Sequence, residues 1–240
     1  MKTLVTIFAH RGAEEVCRRH FTQWAKHESD ILILSPTDLP IRRDLKHPNL
    51  FYANSGQSQY AGPRAICRFK TAFNWLALLP YDRHLIFEYD AFCLTKQIPN
   101  PADLFYGNRK ATNNYPWSLA FKTPYLFYAP WLLSSITLQR LCAAFQFIPD
   151  NHEGGCFDRY LDLAMTRAAV QSANWGDLGF AMETVTYPVG VDYMREAIKY
   201  GATMLHGIKT EQAFCAALEA FDDRAKILTL AESYAQEFTT

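Results

Sequence analysis

The stretch HLIFEYDAFCL, His84 to Leu94, is an apolar run that ends on two carboxylates one residue apart, Glu88 and Asp90. A short apolar, aromatic and β-branched run closed by charge reads as a buried strand whose end meets solvent. Just upstream, Ile66, Phe69, Phe73, Leu76 and Ala77 recur at helical spacing and predict an amphipathic helix ended by Pro80. Further back, LVTIFA (Leu4 to Ala9) and ILILS (Ile31 to Ser35) are continuous apolar runs of the kind buried on both faces of a sheet, the second stopped by Pro36. Between them Ala13, Val16, Cys17, His20, Phe21 and Trp24 make one stripe on a helix over residues 12–27, and NLFYAN (Asn49 to Asn54) predicts a short third strand.

Strands alternating with helices predict an α/β fold with a mostly parallel sheet and helices on both faces. In such sheets ligands sit beyond the carboxyl ends of the strands. Glu88 and Asp90 fall at such an end, as do His10 and Arg11 after the first strand and Thr37 and Asp38 after the second. The second half is mixed. WSLAF (Trp117 to Phe121) and YLFYA (Tyr125 to Ala129) read as strands, Leu138, Leu141, Cys142 and Phe145 predict a helix after Pro130, and Phe157, Tyr160, Leu161, Ala164 and Ala168 predict another. TVTYPV and ATMLHG read as late strands, followed by helical AFCAALEAF and AKILTLAESYAQEF, with no internal repeat.

Composition excludes whole classes of partner. The chain has 240 residues, 49% of them hydrophobic, enough for one large domain with a packed core. Lys plus Arg and Asp plus Glu number 24 each, so no net field draws nucleic acid or an anionic membrane surface. No membrane span or signal core is readable. The six cysteines, Cys17, Cys67, Cys93, Cys142, Cys156 and Cys215, form no CxxC pair, which suits free thiols in a reducing, cytoplasmic setting.

Residues i and i+2 of a strand face one side, so Glu88 and Asp90 converge, and two carboxylates that close repel unless a cation lies between them. Hard oxygen ligands suit Mg²⁺ or Mn²⁺. A solvated strand exit is the plainer alternative. With the long apolar strand before it and the basic helix ahead of that, the Glu88-Tyr89-Asp90 element resembles the DxD element of nucleotide-diphosphosugar glycosyltransferases of the GT-A type, with Glu in the first position. The resemblance rests on layout and short motifs over residues 3–210. It implies one GT-A-like domain over 1–240, with a donor-binding half over about 1–95, an acceptor-side half over about 96–210 and C-terminal helices over about 211–240.

Three further stretches carry the resemblance. GPRAICRFK sets Arg64, Arg68 and Lys70 before or early in the helix that precedes the acidic strand, where such enzymes hold donor-contacting cations. Arg64 and Arg68 are i, i+4, so both guanidinium groups reach one diphosphate, whereas a solvated helix face accounts for Lys70. In MLHGIK, His206 matches a late histidine that returns to the metal, Gly207 permits close backbone approach, and Lys209 reaches the diphosphate. In NHEGGCFDRYL, Asp158 matches the general base of inverting enzymes, with Glu153 second. An acidic residue at a helix start is also simply stabilising there.

The resemblance thus implies a Mn²⁺ or Mg²⁺ ion on Glu88, Asp90 and His206, and a nucleotide-sugar donor, UDP-linked, against Ala9, His10, Arg11, Asp38, Arg64, Arg68 and Lys209. The acceptor is a carbohydrate or another hydroxyl compound. Among the aromatic residues, 15% of the chain, Trp131 is singled out as a sugar-stacking platform. GxGxxG after the first strand, GxxxxGK[ST], GxSxG and HExxH are all missing, which removes the simplest dinucleotide, P-loop, hydrolase and zinc-protease readings. A sugar-nucleotide nucleotidyltransferase and a non-catalytic nucleotide- or sugar-binding module remain as alternatives.

Overall fold

A computed structural model of the chain describes residues 1–9, 29–35, 47–54, 63–88, 91–93, 98–111, 125–149, 157–175, 181–184, 191–206, 216 and 219–220. The first half supplies β1 (Thr3–Phe8), β2 (Asp30–Ser35), β3 (Leu50–Asn54), α1 (Pro63–Leu76), β4 (Arg83–Glu88) and β5 (Ala91–Cys93). The second supplies β6 (Phe105–Ala111), β7 (Tyr125–Ser134), α2 (Ser135–Phe145), α3 (Phe157–Ala168), β8 (Ser172–Asn174), β9 (Ala181–Thr184), α4 (Val191–Lys199) and β10 (Ala202–His206).

The chain is an α/β protein built on a seven-stranded sheet in the order β3-β2-β1-β4-β7-β6-β8. β1, β2, β3 and β4 run parallel, β7 is antiparallel to both β4 and β6, and β8 is parallel to β6. Among the described strands β7 alone is therefore reversed in the sheet, and both halves of the sequence contribute strands to it. A second, three-stranded sheet has the order β5-β10-β9. No helix among the described residues is long and apolar enough to cross a membrane.

The apolar runs become central strands because both of their faces are covered. Val5, Ile7, Ile31, Leu85, Ile86 and Phe87 are fully buried. The expected stripe of α1 is buried at Ile66, Phe69, Phe73 and Leu76, α2 buries Leu138, Leu141, Cys142 and Phe145, and α3 buries Phe157, Tyr160, Leu161 and Ala164. Each large side chain so covered contributes about 1.5–3 kcal/mol relative to exposure. α1, α2 and α3 pack against one another, and α3 lies on β7.

Trp131 requires a correction. It is 0% exposed, with Phe69, Phe73 and Phe157 edge-on at 5.9, 6.0 and 5.7 Å. A ring enclosed by other rings has no free face for a pyranose, so Trp131 is core. The expected helix over 12–27, the strands at WSLAF and TVTYPV beyond Thr184, and the C-terminal helices other than residues 216, 219 and 220 lie outside the described residues.

β7 runs straight through Pro130, which a central strand ordinarily rejects because proline cannot donate to the ladder. The register explains the tolerance. Pairing with β4 stops at Ile86↔Trp131, and pairing with β6 shifts between Tyr106↔Leu132 and Asn108↔Tyr128. Pro130 falls in that irregularity, where neither neighbour needs an N–H from it, and its carbonyl accepts the Trp175 indole N–H at 2.9 Å.

The amino edge of β4 is held by polar contacts. The Tyr81 hydroxyl donates to Asp30 Oδ2 at 2.7 Å, Arg83 Nε donates to Thr3 Oγ1 at 2.5 Å, and the Ser135 hydroxyl donates to the Tyr81 carbonyl. His84, fully buried beside them, has Nε2 at 3.2 Å from Ser135 Oγ, and burial pushes its imidazole down to about 4. A depressed histidine stays neutral in the folded chain while the unfolded chain takes up a proton near 6.5, so stability is lost as pH falls from about 6.5 toward 4. The full loss is about 3 kcal/mol. Urea unfolding at pH 7 and pH 5 should show the wild type losing about half of that amount, and His84→Gln should lose less. Parallel pH slopes for the two proteins would rule the histidine out as the cause.

Candidate active site

The strand order reverses direction at β1, since β2 and β3 extend to one side of it and β4 lies on the other. Such a reversal opens a crevice outside the carboxyl ends of the two central strands. Here those ends are in register, with Phe8 paired to Glu88. Glu88 is half-buried at the last position of β4. The apolar run before it anchors the strand, and the half-buried charge ends it.

Ala9, directly after β1, is 3% exposed, and its backbone is used on both sides. Its N–H donates to the Leu34 carbonyl at 2.9 Å, which carries the β1–β2 ladder one residue past the strand. Its carbonyl accepts from Arg68 Nη2 at 3.0 Å. Arg68 is 6% exposed, and its guanidinium carbon stands 5.6 Å from the centre of the Phe8 ring, a cation–π arrangement. α1 thus lays a buried positive charge over the end of β1, one strand from Glu88. Two residues assigned to the donor from sequence, Ala9 and Arg68, are in direct contact.

The small sheet brings a late segment to the same end. β10 is antiparallel to β5 with Met204↔Cys93, Leu205↔Phe92 and His206↔Ala91. His206 is therefore the cross-strand partner of the residue that follows Asp90 in the chain. Directly opposed residues of an antiparallel pair have Cα atoms about 4.5–5.5 Å apart. On its other side His206 pairs with Thr184 of β9.

The start of α3 approaches from the helical layer. Phe157 stacks on Phe69 at 4.5 Å and lies 5.7 Å from Trp131, which pairs with Ile86 two residues before Glu88. The first turn of α3, with half-buried Asp158, is consequently tied to the carboxyl half of β4. Lys70, set aside from the donor contacts, has its ammonium 5.6 Å from the centre of the Tyr160 ring.

His10, Arg11, Asp38, Asp90, Glu153 and Lys209 lie outside the described residues, as do the side chains of Arg64 in the first turn of α1 and His206 at the end of β10. Among the described residues no three His, Cys, Asp or Glu side chains gather into a metal-sized group. What the described residues show is Glu88 paired with Phe8, His206 paired with Ala91, and Arg68 bonded to Ala9. In donor chemistry, carboxylate oxygen with one imidazole fits a hard or borderline divalent ion such as Mn²⁺ or Mg²⁺. Sequence reasoning assigned Arg68 a phosphate contact and missed its bond to Ala9. The available signal was the row Arg68, Ala72, Leu76 at i, i+4, i+8, whose other two members are apolar.

Compared with known proteins, the chain matches no family model and no curated protein.

Proposed function

We propose that this protein is a metal-dependent glycosyltransferase of the GT-A type, moving a sugar from a nucleotide-diphosphate donor, UDP-linked, to a hydroxyl acceptor. The observation that carries this reading is the pairing of His206 with Ala91 beside the end of β4. A histidine about 115 residues downstream of the acidic element returns to within one residue of it, as a shared ligand set requires. The reading is also supported by the strand reversal at β1 and β4, where such sheets place ligands, and by the buried positive charge of Arg68 over the end of β1.

Glu88, Asp90 and His206 would hold the Mn²⁺ or Mg²⁺ ion, whose contribution is to neutralise charge growing on the leaving diphosphate. Arg64 and Lys209 add donors to the same phosphates. Ala9, His10, Arg11 and Asp38 border the nucleotide, and Asp158 accepts the proton of the acceptor hydroxyl, with Glu153 as its substitute. The cytoplasmic reading is supported by Cys142, a free thiol that burial pushes up to about 12.

Thermal melts test the metal requirement. UDP at about 100 times its dissociation constant adds roughly 2.7 kcal/mol, a readable shift in Tm. The shift should occur with Mn²⁺ and vanish in EDTA, and free UDP should be released from a UDP-sugar panel only with the metal. A metal-indifferent shift without UDP release would favour the binding-module reading. Formation of a sugar nucleotide from a sugar phosphate and a nucleoside triphosphate would favour the nucleotidyltransferase.

A further inference from the structure

We infer that Arg68 is a positioning residue that pins the carboxyl end of β1 for the nucleotide, and does not itself contact the diphosphate. The inference deepens the glycosyltransferase reading in naming a nucleotide. Its geometric part stands apart from that reading.

Three observations carry it. Arg68 Nη2 donates to the Ala9 carbonyl at 3.0 Å, a contact 59 positions apart in sequence that joins α1 to the end of β1. The guanidinium plane is also engaged by the Phe8 ring, 5.6 Å from its carbon. With the residue 6% exposed, the group is enclosed, whereas a phosphate ligand needs its donors presented to solvent.

The consequence for Ala9 is specific. Its N–H is committed to Leu34 and its carbonyl is oriented by a charged donor, so this backbone unit is fixed from both sides. A hydrogen bond from a charged donor is about twice as strong as a neutral one, which makes Arg68 the stronger of the two restraints. A nucleotide lying along the ends of β1 and β2 meets a surface whose height is set by Arg68. Lysine could replace the charge there but not the broad, many-donor group that faces Phe8 while donating to the Ala9 carbonyl.

The roles of contact and pin separate by ligand. A diphosphate contact matters for UDP and not for uridine, whereas a pinned strand end matters for both. Binding of uridine and of UDP with Mn²⁺ is measured calorimetrically for the wild type, Arg68→Lys and Arg68→Gln, with amide exchange of Ala9 as a readout that needs no ligand. Arg68→Gln should weaken uridine and UDP by the same factor, roughly tenfold. It should also speed Ala9 exchange by a similar factor, and Arg68→Lys should recover little of either loss. If Arg68→Gln does not fold, Arg68→Lys and Phe8→Leu carry the same comparison.

A loss confined to UDP, restored by Arg68→Lys, would make Arg68 a diphosphate contact and overturn the inference. Unchanged Ala9 exchange in folded variants would overturn it as well. A wild type that binds neither ligand, with the exchange contrast intact, retains the pin and removes the nucleotide reading.

Discussion

Replacing Asp158 by Asn is expected to lower sugar transfer about 100-fold or more while leaving Mn²⁺-dependent UDP affinity within about twofold. Asn keeps the shape and the hydrogen-bonding reach of the carboxylate but cannot accept a proton at neutral pH. The separation of turnover from binding follows from position. Asp158 sits in the first turn of α3, while the proposed metal and nucleotide elements come from β1, β4, β10 and α1. The turn itself is secured by Phe157 against Phe69, Phe73 and Trp131, none of which the substitution touches. A carboxylate in a first helical turn also stabilises its helix by about 0.3–1 kcal/mol, and that smaller effect will register in a melt. The two effects have different signatures. If Asp158→Asn lowers Tm slightly and leaves turnover untouched, the residue is a helix-terminal charge only, and Glu153→Gln becomes the substitution that decides where the base lies.

The parallel half of the fold was legible because burial on both faces leaves a direct trace in sequence. LVTIFA, ILILS and HLIFE cannot alternate polar and apolar residues when both faces are buried, and all three became β1, β2 and β4. The stripes of α1, α2 and α3 were readable for the matching reason that one face of each packs inward. β6 left no such trace. Its sequence FYGNRKA has Gly107, Asn108, Arg109 and Lys110 where an apolar run would be, and it is a strand because β7 and β8 pair with it on either side. β5, only three residues long, exists through β10, and α4 was missed altogether.

The candidate site divides in the same way. A charge closing an apolar run is a local signal, so Glu88 could be found. The environments of Trp131 and Arg68 are made by distant segments, the first by rings from α1 and α3, the second by the end of β1. Residue type alone suggested a sugar platform for Trp131 and could not show the bond from Arg68 to Ala9, because neither partner is near in sequence.

Asp90→Ala is expected to abolish metal-dependent UDP binding, His206→Ala to weaken it, and Glu88→Ala to leave a measurable remainder. In the DxD pattern that Glu88-Tyr89-Asp90 resembles, the second carboxylate contacts the metal directly, while the first works through water or the donor ribose. Glu88 ends β4 opposite Phe8, and Ala91 is the residue that pairs with His206 in the β5–β10 pair. Loss of an imidazole removes one ligand and leaves a carboxylate, so His206→Ala should be intermediate. All three variants should remain folded, because charges at a strand exit add little to the core and such changes cost within about 0.5 kcal/mol. Removing one of two neighbouring carboxylates should even raise the stability of the metal-free protein slightly, by relieving their repulsion. Calorimetric titration with Mn²⁺ and UDP, alongside unfolding in EDTA, reads both quantities on the same samples. An Asp90→Ala protein that unfolds, next to a wild type that takes up no metal, would turn the acidic pair into a structural strand terminus and withdraw the catalytic reading with it.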